Sequence, residues 1–187
     1  MIKITTGKNK GNKLKIPKVL HIRPTSQKVR KALFDIIGDD LIDTYFLDLF
    51  AGTGAVGIEA LSRGAKKVVF IDKFSKCIAN IKKNLQITKN EQNADVYKRD
   101  YLSGLKILKQ KNVSFDYVFI DPPYHKGLGN ISLLEIDQSS ILKESSIVIL
   151  QHHKKESIQE NLGHLKIYKR RTYGECTLSF FKYYLKS

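Results

Sequence analysis

Two consecutive prolines close an apolar run in "VFIDPPYHKG", residues 118–127, leaving a carboxylate before them and an aromatic ring after them. Proline offers no N–H to a sheet ladder and holds φ at about −65°, so the chain must leave the sheet here. Asp121, the Pro122 carbonyl and Tyr124 are thereby held at the end of a strand. An Asp-Pro step can also end a strand and do nothing more. As chemistry, the combination suits a planar base with an exocyclic amine: two acceptors take the amine hydrogens while the ring stacks on the base. Such an amine is a poor nucleophile because its lone pair is delocalised. Accepting its hydrogens returns density to nitrogen for in-line attack on an electrophilic methyl group. His125 and Lys126, next in the chain, read as surface residues.

A second pattern lies upstream, where "DLFAGTGAVGIEA" sets Gly52, Gly54 and Gly57 at G-x-G-x-x-G spacing between a strand and a helix. Alone it fits a dinucleotide, a nucleoside cofactor or a tight turn. Asp48, near the carboxyl end of the preceding strand, discriminates. Ligands of open α/β sheets bind at that end, and a carboxylate there opposes a pyrophosphate but suits a cationic ammonium group. S-adenosylmethionine carries an ammonium and a sulfonium and no phosphate, and is the expected cofactor. Asp72 ends the next apolar run, close to the roughly 20-residue separation at which an acid bonds ribose hydroxyls. Asp100, in "KRDY", suits an adenine amino group or stands as a solvated strand-end acid. Three acids at the ends of successive strands imply one polar ligand across the sheet edge.

These groups need a scaffold. Apolar runs alternate with helical patterns from about residue 45 to 150, the rhythm of βαβ units. Strands are expected at 46–50, 67–72, 94–99, 116–121 and 146–150, with helices at 54–64, 76–87, 104–110 and, weakly, 131–142. "LKIYKRR" and "CTLSFFKYYL" flank "TYGE" and read as a closing antiparallel hairpin. The fold class expected is α/β: a doubly wound, seven-stranded, mostly parallel, Rossmann-like sheet with an antiparallel last strand. At the start, "IKIT", "GKNKG" and "NKLKIP" predict a basic β-hairpin appendage within residues 1–20. A helix within residues 24–38 follows, with Thr25 or Ser26 as N-cap, a stripe of Val29, Leu33 and Ile36 with Ala32 and Ile37, and Gly38 at its end. One domain is expected over residues 1–187.

Composition sets the outer limits. The chain has 187 residues, 42% of them hydrophobic, enough for one core. No apolar stretch nears the roughly 18 to 20 residues that span a bilayer, and "MIKITTGKNK" lacks a signal-peptide core, so a cytoplasmic monomer away from membranes is expected. Cys77 and Cys176 lie far apart and read as reduced structural thiols. The five histidines, His152 and His153 among them, lack partners at ligand spacing, so no metal is expected. The net charge of +15 and pI near 9.7 point to a polyanionic partner. Lysine bias explains part of the excess. Yet ten basic residues precede Phe34 and no acid precedes Asp35, so this segment, with Lys8, Lys10 and Lys13 on the hairpin, is expected to contact nucleic acid.

Taken together, "FLDLFAGTGAVGIEALSRGA", "VVFIDK" and "VFIDPPY" resemble the class I S-adenosylmethionine-dependent methyltransferases that modify exocyclic amines. With "GKNKGNKL", "RPTSQKVRKALFDII" and "YGECTLSFF", nearly the whole chain resembles the bacterial family that converts one guanine of small-subunit 16S ribosomal RNA to N2-methylguanine. The resemblance implies cofactor contacts from Asp48, Gly52, Gly54, Asp72 and Asp100, and target contacts from Asp121, Pro122 and Tyr124. It places Arg23 and Thr25 near the site and implies 16S rRNA in a partly assembled small subunit as the substrate. The hairpin departs from the family in being rich in lysine where arginine and an aromatic are usual, and lysine lacks the planar fork and stacking face of arginine. Three rivals stand beside this reading. An adenine-N6 methyltransferase shares D-P-P-Y, but residues 100–121 leave no room for a target-reading insertion. A dinucleotide oxidoreductase conflicts with Asp48. A non-enzymatic RNA-binding module conflicts with the intact acids.

Overall fold

The apolar runs form strands and the amphipathic stretches form helices in a computed structural model that describes residues 2–17, 25–124 and 127–185. Contacts divide the chain into two units, Met1–Tyr101 and Leu102–Ser187.

The first unit begins with β1 (Ile2–Lys3) and β2 (Lys13–Leu14), paired antiparallel with Ile2 opposite Leu14. It continues through α1 (Gln27–Ile37), β3 (Tyr45–Asp48), α2 (Ala55–Ser62), β4 (Lys67–Asp72), α3 (Ser75–Thr88) and β5 (Ala94–Lys98). β3 and β5 flank β4, all parallel. Val68, Val69, Phe70 and Ile71 of β4 are all buried, as a strand covered on both faces requires. Ser26 caps α1 by accepting from the Val29 N–H at 3.2 Å, and the Gly38 N–H closes it on the Phe34 carbonyl. The buried stripe is Val29, Arg30, Leu33, Phe34 and Ile37, rotated from the expected one, with Ile36 only half-buried. The rotation follows from two partners elsewhere in the unit: Phe34 packs against Phe46 at 6.2 Å between ring centres, and Arg30 pairs with Glu59.

That pair anchors the hairpin. Glu59, buried in α2, accepts from the Thr5 and Thr6 N–H groups at 3.0 Å, from the Thr5 hydroxyl, and from Arg30 Nε at 3.2 Å. Arg30, equally buried, also donates to the Lys3 carbonyl. Gly7, at φ 82°, lies so close to α2 that a Cβ there would sit 1.8 Å from the Ser62 carbonyl oxygen, which instead accepts from the Lys8 N–H at 2.8 Å. Ile2, Ile4 and Leu14 are buried, while Lys3, Lys8, Lys10, Lys13 and Lys15 remain exposed. The hairpin is therefore bound into the first unit through its backbone and apolar face, with its lysines left to solvent.

The second unit takes in all but the first residue of α4 (Tyr101–Gln110), then β6 (Phe115–Ile120), α5 (Leu128–Asp137), β7 (Leu142–His153), β8 (Asn161–Leu162), β9 (Leu165–Tyr173) and β10 (Cys176–Tyr183). Its strand order is β6-β7-β10-β9-β8, with β6 and β7 parallel and the rest antiparallel. Phe115, Phe119, Phe180 and Phe181 fill its core. The α/β class, the parallel strands and the closing hairpin are as expected. The two-residue β8 adds one strand to the expected seven. β7 runs from Leu142 to His153 rather than 146–150, because pairing with β10 carries the ladder to His153 opposite Cys176, beyond the apolar run. α5 starts at Leu128 because Gly127 is left-handed at φ 64°, and Ser140 at φ 60° ends the segment before β7. Among the described residues no helix is long and apolar enough to cross a membrane.

Candidate active site

In the first unit the chain leaves β3 at Asp48 and turns tightly through Gly52 and Gly54, whose φ values are 52° and 74°, into α2. Asp48 is buried, and its Oδ2 accepts from the Gly57 N–H at 3.0 Å, inside the first turn of α2. Burial pushes its carboxyl up to about 7; the Gly57 hydrogen bond opposes this and the charge of Asp72 adds to it. Gly57 itself is a packing residue. A Cβ there would meet the Phe70 ring at 2.3 Å, so glycine lets α2 lie on β4. Asp72, half-buried at the end of β4, accepts from the Gly52 N–H and the Phe74 N–H, each at 2.8 Å, and fixes the glycine turn to the second strand. A carboxylate has about four lone-pair sites, so Asp72 keeps capacity for a ligand hydroxyl. Asp100 is exposed just beyond β5. The structure thus gathers Asp48, Gly52, Gly54 and Asp72 around one turn. A buried, charge-deficient carboxylate beside left-handed glycines, with a half-buried acid at the next strand end, fits a ligand bearing an ammonium and a ribose.

Two residues at this turn escaped the sequence. Asn80 and Asn84, on the buried side of α3, each donate to the Thr53 carbonyl in the glycine turn at 3.3 Å and to the Lys15 carbonyl at 3.0 Å. Asn84 Oδ1 accepts the Lys15 N–H at 2.8 Å. Their only signal was a polar pair four residues apart in an otherwise apolar helical stripe.

In the second unit β6 ends at Ile120 and the chain turns out through Asp121, buried Pro122, exposed Pro123 and Tyr124. Ile120 lies opposite Leu150 of the parallel β7, so Gln151 follows at the same end. Gln151 Nε2 donates to the Tyr124 hydroxyl at 3.4 Å, and the His153 ring lies edge-on to the Tyr124 ring at 6.0 Å. Burial raises the Tyr124 phenol well above its ordinary value; Asp121 and Cys176 add to this, while Gln151 opposes it. Tyr124 is therefore a neutral ring tethered through its hydroxyl. Gln151 and Cys176 were not read as site residues, since they sit on strands whose pairing places them there.

Lys8, Lys10 and Lys13 are exposed on the hairpin, whereas Thr25 is buried, its carbonyl accepting from Arg30 Nη1 at 3.5 Å. Arg23, His125 and Lys126 lie outside the described residues. Cys77 and Cys176 are not joined in a disulfide. Burial, with help from Asp72, pushes Cys77 up to about 12, so it is inert as a nucleophile. Among the described residues no group of His, Cys, Asp and Glu could hold a metal ion.

Residues 2–182 match the family model described as Conserved hypothetical protein 95. A putative rRNA methyltransferase of Bacillus subtilis is 33% identical over 181 residues, covering 97% of this chain and 98% of the relative. The ribosomal RNA small subunit methyltransferase D of Escherichia coli is 37% identical over 153 residues, covering 78% and 75%. The solved structure of a putative methyltransferase from Escherichia coli superposes with a TM-score of 0.85 at 27% identity over 99% of both chains. Family model, sequence relatives and fold coincide along nearly the whole length, and this chain belongs to the ribosomal RNA small subunit methyltransferase D family.

Proposed function

We propose that this protein methylates the exocyclic N2 amine of a guanine in small-subunit 16S ribosomal RNA, using S-adenosylmethionine. The observation that carries the proposal is the proline-locked turn after β6, where Tyr124 is tethered by Gln151 beside Asp121. Family membership supplies the RNA class. In this reading Asp48, Gly52, Gly54, Asp72 and Asp100 of the first unit hold the cofactor, which supplies an electrophilic methyl group on a sulfonium. Asp121 and the Pro122 carbonyl accept the two amine hydrogens of the guanine, raising density on N2. Tyr124 stacks on the base, worth roughly 1–3 kcal/mol, comparable with the few kcal/mol that unstack it. The amine would attack that methyl group with its lone pair, and the cofactor's sulfur would keep the electron pair of the broken C–S bond. The proton then passes from N2 to the Asp121 carboxylate and on to solvent. Positioning supplies most of the rate, and no covalent nucleophile is needed. Lys8, Lys10 and Lys13, with Arg23, contact RNA phosphates of the small subunit or its assembly intermediate.

The test is labelled methyl transfer onto undermethylated small subunits, then nucleoside digestion and mass identification. N2-methylguanosine is the expected product. N6-methyladenosine would overturn the guanine assignment in favour of the adenine enzymes that share D-P-P-Y.

A further inference from the structure

Strand pairing in the second unit extends the target site sideways. Gln151 of β7 lies opposite Leu178 of β10, which lies opposite Arg171 of β9; the next row is His153, Cys176 and Tyr173. Directly paired residues share a face of a sheet. Arg171 and Tyr173 therefore lie on the face, and at the end, where Gln151 and His153 meet Tyr124. Lys169, opposite Phe180, continues the same face, and Tyr168 stacks edge-on against Phe180 at 6.2 Å. The other face is committed differently: α5 covers Leu150, where a Cβ on Gly129 would sit 3.2 Å away, and Arg170 donates to Ser179 and pairs with Glu160.

The strip is cationic and open. Arg171 is exposed, Lys169 and Tyr173 are half-exposed, and Tyr168 is 47% exposed. Among the described residues neither Lys169 nor Arg171 pairs with a carboxylate. Glu175, the acid nearest in sequence, is taken up by Lys154 at 2.6 Å and His153 at 3.2 Å. β9 lies two strand spacings from β7, about 10 Å, a short step along a nucleic-acid strand from a base held at Tyr124. Cations interleaved with tyrosines at that distance suit the phosphates and bases of a single strand rather than an apolar partner.

We propose that the β9 edge is a second RNA-binding strip, in which Lys169 and Arg171 hold phosphates of the strand flanking the base received at Asp121 and Tyr124, with Tyr168 and Tyr173 available to its bases. The proposal rests on the rRNA-methyltransferase reading above. The K169A/R171A protein is compared with the unmodified chain for binding to a single-stranded 16S rRNA fragment and to small subunits over a range of salt, with S-adenosylhomocysteine binding measured in parallel. The expected result is weaker binding to both RNA forms, a slope of log K against log salt smaller by about 1.4 for two lost contacts, unchanged S-adenosylhomocysteine affinity, and restoration of the slope by K169R/R171K. An unchanged slope with intact RNA binding overturns the strip and leaves the enzyme reading standing. A loss confined to subunits, with free RNA bound normally, overturns it in favour of a ribosomal-protein contact. Failure of the unmodified chain to bind either RNA form, while binding S-adenosylhomocysteine, overturns both.

Discussion

Asp48 and Asp121 are both strand-end carboxylates, and their surroundings differ, the first buried and the second half-exposed. Asp48 is buried with one backbone hydrogen bond and carries its proton up to about pH 7, so its ionised form is costly in the folded protein. The contribution of this group to stability is therefore most favourable below the usual carboxylate range and is lost as pH rises through about 7. A cationic ligand reverses the preference, because it favours the ionised carboxyl. S-adenosylhomocysteine affinity should rise about tenfold per pH unit approaching pH 7 from below and level off above it, which isothermal calorimetry across that range would show. A pH-independent affinity would mean that the ammonium lies elsewhere. Asp121, half-exposed in the second unit, is assigned to the base rather than the cofactor. Asp121→Ala should abolish methyl transfer while leaving S-adenosylhomocysteine affinity within a few-fold of the original, and a parallel loss of both would undo the assignment.

At the level of elements, α2 holds Glu59 in a buried ion pair with Arg30 of α1. Removing one partner of a buried ion pair strands the other, at a cost of about 3–5 kcal/mol. Glu59→Ala strands Arg30 together with the Thr5 and Thr6 N–H groups, and should lower stability by that amount in urea denaturation. Replacing both partners with apolar residues should cost less. This buried pair also marks where the sequence stopped being legible. The strands ending at Asp72 and Ile120, the proline exit and the glycine turn announce themselves through local chemistry, because prolines, glycines and apolar runs act within a few residues. Nothing local marks Glu59 as buried, and Arg30 counted only among the basic residues before Phe34, since their burial depends on a hairpin meeting two helices. Asn80, Asn84 and Gln151 were hidden for the same reason: each earns its place through partners 27 to 69 residues away. The length of β7 was likewise set by β10 and not by its own apolar run.

On the scale of the whole molecule, a net charge of +15 is divided between surfaces in both units. The hairpin presents Lys8, Lys10 and Lys13 while its backbone is bonded to α2 and α3, so deleting it would expose Glu59 and Arg30 and confuse binding with folding. Neutralising the three lysines together avoids this. K8A/K10A/K13A should keep the thermal midpoint within a few degrees and reduce the salt slope of rRNA binding by about 2; an unchanged slope would make these lysines merely solvated. The paired carboxamides of Asn80 and Asn84 carry a consequence at this same scale. Because each grips the Lys15 backbone with one hand and the Thr53 carbonyl with the other, slackening at the hairpin is felt in the glycine turn and the reverse. Such linkage is reciprocal in free energy. An RNA that steadied the hairpin would tighten the glycine turn, and a ligand held at that turn would return the effect by the same factor.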